Sequence, residues 1–522
     1  MAFKKSNQKS QPDLFATASF SLPERERRYM EDELSWHNEF YRNVLLNIDE
    51  EVLRPLFVEG NMGAPTKQLR ILIAMRILKE GRGCSDEQLY ENIRFNLVWR
   101  QAVGLFNIND ECPSIDSYYK LFRRIAEYEQ NNPEHVNLYK QVYQNLTAKQ
   151  IKKYKIAGRT IRMDSKLIGS NIAWFSRYEI IHETFLKQVS EQEAMRISDQ
   201  LYRQKALDFL AEDASKTVYR SDDETLGQRL LDLGIVISHI LSMRGEDEVS
   251  LLHRVFHEQY DVDAEGNISV RDKKLISASS VQNPNDPDAT YRNKNGEDVR
   301  GFTHNVTETC DDEDKATTRS GKVIQKPKLI VDVQVEPAGT PDTQLYEPGI
   351  KGAVDVTGQA PESSTADGGY QSAGTQEFAK QNGIAPVFTG FQGKPGAYDL
   401  EFQDGGNAVE ATNRSTGRKI RAVPTKGGSW RIDDEMDGKK TTRYFTGENV
   451  AASMRRKAAE AIPKAKKWLR NNVEAAMFQL TFHTRNNKTR YRGQMKQKIF
   501  ALSRCLWVNC VRLSLFEARM AE

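Results

Sequence analysis

A chain of 522 residues exceeds what one ordinary hydrophobic core holds, so we expect two or more domains. No apolar run approaches the ~20 residues that span a bilayer. Residues 1–30 lack a signal-peptide core, which predicts a cytoplasmic protein with a flexible N-terminal arm. Scattered cysteines without paired spacing favour reduced thiols over a disulfide framework or a zinc site.

The net charge of +3 conceals an asymmetry along the chain. Residues 451–522 contain 16 Lys and Arg against 4 Asp and Glu, a balance of +12, so the remaining residues carry −9. A basic block on a mildly acidic body indicates a local contact with a polyanion. A solvated, lysine-rich helix face would explain the same counts.

Residues 31–150 predict a helical N-terminal domain for DNA binding or assembly. Trp36 to Leu46 has helical apolar spacing, and Pro65-Thr66 begins an apolar helix that ends near Gly81. Ser85 to Gln88 is a capping box, and Pro113-Ser114 begins a further helix that carries three basic residues. Such short helices suit either a DNA-binding domain or one that only packs or dimerises.

Residues 151–174 and 261–395 predict a mixed α/β core, interrupted by a helical insertion at 175–260. The first core strand ends at Asp164, after the alternating run Thr160 to Met163. Val299 to Thr307 and Lys328 to Val335 predict further strands. A short helix follows near residues 340–356, and we expect Pro348-Gly349 to interrupt it.

The second half of the core is organised around Asp367. This aspartate follows a predicted strand, Ser372 caps a helix that Gly383 ends, and Ile384 to Phe388 returns as a strand. Short alternating segments predict a β-rich insertion at 396–448. Basic helices at 449–522 complete the core, and Pro463 begins the helix that carries Glu474.

Asp164, Asp367 and Glu474 have the chemistry of a two-metal site. Carboxylates from two strand ends and one helix supply the hard oxygen ligands that Mg²⁺ prefers. Paired ions activate an attacking oxygen and stabilise a departing one, which is the chemistry of phosphodiester cleavage. Asp332, in an apolar strand, is a rival for the second position. Glu460, before the break at Pro463, is a weaker rival for the third.

Three motifs resemble those of bacterial insertion-sequence transposases of the DDE class. Arg162-Met163-Asp164-Ser165 resembles the first motif, Ala366-Asp367-Gly368-Gly369-Tyr370 the second, and Arg470 with Glu474 the third. The resemblance extends from about residue 40 to 510 and implies a ribonuclease-H-like core with an InsH-type N-terminal domain. It also implies two Mg²⁺ (or Mn²⁺) ions held by these carboxylates.

The resemblance further implies cleavage of the element's ends and attack of a freed 3′-OH on target DNA. Lys467 and Thr481 stand where the family often has tyrosine and lysine. Lys466, Lys467, His483 or Arg485 could take their place at the DNA. A basic patch with Tyr491 inside it suits phosphate contact or a solvated loop: Arg485, Lys488, Arg490 and Arg492. Arg470 is expected to orient Glu474 or to contact DNA.

The expected partners are the element's terminal repeats and target DNA, bound by a homodimer or a larger assembly in the cytoplasm, at the nucleoid. A transposase-derived protein that binds DNA without cutting it is the alternative. A structural assembly protein without salt-dependent DNA binding is a third possibility.

Overall fold

A computed structural model gives the architecture of the chain. It describes residues 3, 21–58, 68–134, 137–245, 249–294, 296–390, 394–436, 439–463 and 473–522. About half of the structure is helical and about a fifth is strand, which confirms a multidomain α/β fold. The predicted helix start at Pro65-Thr66 lies outside the described residues.

The N-terminal helices follow the capping signals in the sequence. They are α1 (Glu24–Glu31), α2 (Trp36–Asn43), α3 (Leu69–Arg82), α4 (Asp86–Phe95), α5 (Leu97–Ala102), α6 (Ile115–Asn131) and α7 (Leu138–Tyr154). Ser85 and Gln88 form the predicted capping box of α4, and Ser114 caps α6. Helix α1 occupies part of the predicted arm.

A six-stranded mixed sheet forms the centre of the chain. Its strands are β1 (Thr160–Gly169), β4 (Thr290–Lys294), β5 (Glu297–Thr309), β8 (Ile330–Pro337), β9 (Ser363–Ala366) and β10 (Ala385–Phe388). β10, β9 and β1 run parallel, and β1 pairs antiparallel with β5, which also pairs with β4 and β8. The expectation that the first strand ends at Asp164 is wrong, because pairing with β5 carries β1 on to Gly169.

Between β1 and β4 lies a helical insertion with a separate apolar core. Its elements are α8 (Arg177–Gln188), α9 (Glu191–Ala194), α10 (Gln200–Leu210), α11 (Ala214–Arg220), α12 (Asp223–Arg244), α13 (Leu251–Gln259), β2 (Tyr260–Val262) and β3 (Ile268–Val270). Strands β6 (Lys315–Thr317) and β7 (Val323–Gln325) form a small hairpin after β5.

Helix α14 (Thr343–Thr357) packs on one face of the sheet, with α15 (Ala373–Gln381) after it. The expected interruption of α14 is wrong: the helix continues through Pro348. Pro348 leaves the carbonyl of Gln344, four residues earlier, without its helical donor. The amide of Gln334 on β8 donates to the next carbonyl, that of Leu345, 3.2 Å away, so a side chain from the sheet bonds the helix one residue from that position.

The region after β10 begins with the predicted β-rich insertion. It comprises β11 (Tyr398–Gln403), β12 (Ala408–Asn413), β13 (Lys419–Arg421), β14 (Val423–Pro424), β15 (Trp430–Met436) and β16 (Lys439–Phe445). Helix α16 (Gly447–Ala461) packs against it. Helices α17 (Val473–Thr481) and α18 (Gln494–Ala521) follow. The loop between them is not helical, so the prediction of helix for this stretch is wrong.

Helix α18 is the centre of the largest apolar core. This core unites the N-terminal helices, α17, α18 and the sheet face opposite α14. Among the described residues, α18 alone is long and apolar enough to cross a membrane, with a mean hydropathy of 1.4 in its most apolar stretch. Of that stretch, 78% is buried inside the protein, so packing accounts for its composition.

Candidate active site

Asp164 lies in the middle of β1, and its carboxylate bonds the backbone of the next residue. It is 9% exposed, and its Oδ1 accepts a hydrogen bond from the Ser165 amide at 2.9 Å. Because side chains alternate along a strand, Arg162, Asp164 and Lys166 face the same side of the sheet. This is the side on which α17 and α18 pack.

Asp367 follows β9 directly and begins a short 3₁₀ turn. Its Oδ1 accepts a hydrogen bond from the Gly369 amide at 2.7 Å. The parallel pairing of β1 with β9 extends to Arg162 and Thr365, and each of these residues precedes its aspartate, Asp164 or Asp367, by two positions. Paired strands lie about 4.8 Å apart, so the pairing brings the segments that lead to the two aspartates together.

Tyr370, in the turn that Asp367 begins, is fully buried and attaches this turn to β5. Its hydroxyl donates to Asn305 Oδ1 on β5 at 2.6 Å. Burial raises the pKa of Tyr370 well above its usual value, and the negative charges of Asp164 and Asp367 add to this effect. The tyrosine therefore stays neutral, and both aspartates lie within electrostatic range of its hydroxyl.

Glu474 lies on the exposed side of α17. The opposite side of this helix, with Ala476, Met477 and Leu480, is buried in the core that contains α18. Lys166 Nζ donates to Thr481 Oγ1 at 3.0 Å and so ties β1 to the end of the helix. Burial lowers the pKa of Lys166.

A buried ion network, missed by the sequence reasoning, joins β1 to α17 and α18. Glu308 on β5 is fully buried, and its carboxylate lies 2.5 Å from Arg162 and 2.7 Å from Arg512 on α18. Arg512 also donates to the side chain of Gln479 on α17 at 3.1 Å. A basic residue within a core strand, Arg162, is the feature of the sequence that indicates a buried ion pair. Its partners cannot be identified from the sequence, because they lie far away along the chain.

Asp164, Asp367 and Glu474 are not assembled around one point. Among the residues that the structure describes, no three His, Cys, Asp or Glu side chains are close enough to hold a metal ion. The two aspartates follow paired positions of β1 and β9, while Glu474 is on α17, which Lys166 ties to β1. The assignment of all three as metal ligands stays a prediction.

The rival carboxylates have structural partners. Asp332 is fully buried, pairs with Lys140 at 2.8 Å and accepts from Gln334 at 3.0 Å. A Cβ on Gly352 of α14 would lie 2.1 Å from its Oδ1, so the helix covers it directly. Glu460 lies 3.5 Å from Arg414.

The predicted DNA contacts divide into three groups. Lys466, Lys467 and Arg470 lie outside the described residues. Arg485 is exposed and Lys488 is half-buried.

In the third group, Arg490 and Arg492 are exposed but have backbone partners. Arg490 donates to the carbonyls of Cys84 and Gly83 at 2.8 and 2.9 Å, and Arg492 donates to that of Asn171 at 2.6 Å. These two guanidinium groups fasten the loop before α18 to the end of α3 and to the residues after β1. Whether they also contact DNA stays a prediction.

Residues 28–124 match the family described as Transposase domain (DUF772). The matched segment includes α2 to α5, half of α1 and most of α6. It supports an insertion-sequence transposase, although it contains none of the three candidate carboxylates. No curated protein matches the chain significantly.

Proposed function

We propose that the chain is a DDE transposase that cleaves the ends of a mobile element and joins the freed 3′-OH to target DNA. The observation that carries this proposal is the parallel pairing of β1 with β9, which ends at Arg162 and Thr365, two residues before Asp164 and Asp367. The transposase-domain match at residues 28–124 supports the same class of protein independently.

The donor set of the site fits Mg²⁺. Asp164, Asp367 and Glu474 would hold the ions through hard carboxylate oxygens, and Mn²⁺ accepts the same ligands. When bound, a pair of such ions supplies charge stabilisation at the attacking and departing oxygens of the phosphodiester. The amides of Ser165 and Gly369 fix the orientation of the two aspartates before substrate binds.

The chain's own residues would orient the DNA and the third carboxylate. The Glu308 network and the Lys166 bond to Thr481 hold α17 on β1, which keeps Glu474 on the side of the sheet that carries Asp164. Arg470 would orient Glu474 or contact phosphate. The exposed cation of Arg485, with Lys488 beside it, would position the terminal repeats and target DNA. We place this activity in the cytoplasm, at the nucleoid, in a dimer or larger assembly.

Strand cleavage of a labelled duplex that carries the gene's flanking sequence tests the proposal. We expect cutting in Mg²⁺ or Mn²⁺ by the native chain, with a loss of about a hundredfold or more in Asp164→Asn and Asp367→Asn. Asp355→Asn, at an exposed position on α14, is the matched control and should retain activity. DNA binding should persist in all three variants.

Binding without cutting in both metals would refute the enzyme and favour a transposase-derived DNA-binding protein. Equal loss of binding and cutting in the aspartate variants would instead indicate misfolding. Circular dichroism of each variant separates that outcome from a loss of chemistry.

A further inference from the structure

Two aromatic side chains lie exposed on the helix that carries Glu474. Phe478 and Phe482 are 61% and 59% exposed, and their ring centroids are 5.6 Å apart with the planes inclined by 72°. Glu474, Phe478 and Phe482 are spaced by four residues, so they follow one side of α17 and its C-terminal end. The packing side of the helix is the opposite one, which leaves the two rings without a role in the core.

The contacts around this aromatic pair hold it in place. Phe482 packs edge-on against His483 with ring centroids 5.0 Å apart. His483 Nε2 is 3.1 Å from the carbonyl of Gly81 at the end of α3. One residue before Phe482, Thr481 is tied to β1 by Lys166. Both rings are therefore attached to a fixed part of the fold.

The charge around the pair favours a polyanion over a second protein. Residues 473–492 contain a single acid, Glu474, and four basic residues, Arg485, Lys488, Arg490 and Arg492. A second copy of this chain docked symmetrically through the same surface would bring like charges together. A nucleic acid instead offers phosphates to the cations and a planar apolar face to the rings.

We propose that Phe478 and Phe482 form a stacking platform for an unpaired nucleobase at the DNA end next to Glu474. This inference rests on the proposed function, because it assigns the platform to the same substrate. Bases inside a duplex have both faces covered by their neighbours, so a base must leave the stack to reach both rings. A DNA end held near Glu474 is where a base can do so. Stacking also tolerates any base, since every base has a π face.

The test compares a blunt duplex with the same duplex carrying a short unpaired 3′ tail that contains 2-aminopurine. Binding is measured in the presence of a chelator, so that no cutting occurs. We expect the native chain to bind the tailed duplex about tenfold more tightly than the blunt one and to quench the 2-aminopurine fluorescence. Phe478→Leu combined with Phe482→Leu keeps the apolar volume, removes the rings, and should abolish both effects. Tyr219→Leu, at a 90% exposed aromatic of α11, is the matched control and should change neither.

An unchanged tail preference in the double leucine variant would overturn the proposal. Equal weakening of both duplexes would also overturn it, because it would show a general DNA contact. A change in oligomeric state with unchanged DNA binding would show a contact between copies and overturn it likewise. These readouts do not depend on cutting. If the native chain never cuts DNA but the double leucine variant still loses the tail preference, the stacking platform is supported and the proposed transposase function is refuted.

Discussion

Replacement of Glu308 by glutamine should destabilise the fold strongly, although the side chain keeps its size. The carboxylate is fully buried and lies between the guanidinium groups of Arg162, 3% exposed, and Arg512, 17% exposed. Its loss removes the negative charge that both guanidinium groups share. Removal of one partner from a buried ion pair costs about 3–5 kcal/mol, so we expect Glu308→Gln to lower the free energy of unfolding by that amount.

Urea unfolding followed by circular dichroism measures this loss. The control is Glu347→Gln, which breaks an exposed pair with Lys351 on α14 and should cost no more than about 0.5 kcal/mol. Addition of Arg162→Met to Glu308→Gln should recover part of the lost stability, because one of the two cations that faced the carboxylate is removed. A cost for Glu308→Gln as small as that of Glu347→Gln would refute the reasoning.

Three further predictions concern the loop before α18, a buried glutamate and the central sheet. Arg490→Met should lower the free energy of unfolding by about 1–2 kcal/mol, because the carbonyls of Gly83 and Cys84, directly after α3, lose their donor. Arg485→Met should only weaken DNA binding. The reverse pattern in unfolding and salt-dependent binding assays would contradict the assignment. Burial raises the pKa of Glu129 to about 7, so the stability linked to its protonated form is lost as the pH rises through that value. Glu129→Gln should therefore raise the melting temperature more at about pH 8 than at about pH 5, and an equal gain at both would argue against the shift. Gly301→Ala places a Cβ 2.2 Å from the carbonyl oxygen of Ile168 and should destabilise by about 3 kcal/mol in thermal unfolding, whereas Gly227→Ala, with open space around it, should be neutral or stabilising.

Local signals in the sequence predicted much of the secondary structure. Ser85, Ser114 and Ser372 each cap a helix as expected, because a capping hydrogen bond joins residues only three positions apart. The placement of Asp367 after a strand and before a turn is likewise predicted from its immediate neighbours in the sequence. Several strands of the core are predicted from their alternating runs, and the resemblance to a ribonuclease-H-like core implies the mixed sheet that joins them.

The errors concern features that depend on distant residues. The length of β1 is set by its pairing with β5, more than 130 residues later. Helix α14 continues through Pro348 while packed on the sheet, where Gln334 of β8 donates to its Leu345 carbonyl. Arg490 looks like a phosphate contact in the sequence, yet its carbonyl partners lie over 400 residues earlier. None of these partners can be identified from local spacing.

The position of α18 in the core has a consequence for the order of events during synthesis. Arg504 donates to the carbonyls of Glu80 and Gly81 at the end of α3, at 3.0 and 2.5 Å, and the Asn509 side chain bonds Ile330 on β8. At about 5–20 residues per second, α18 leaves the ribosome roughly 20–90 seconds after α3. Until then the apolar surfaces of α3 and the sheet lack their partner, so a nascent or truncated chain cannot complete its core. The core around α3 therefore forms only after α18 has been synthesised, and the protein cannot function before then.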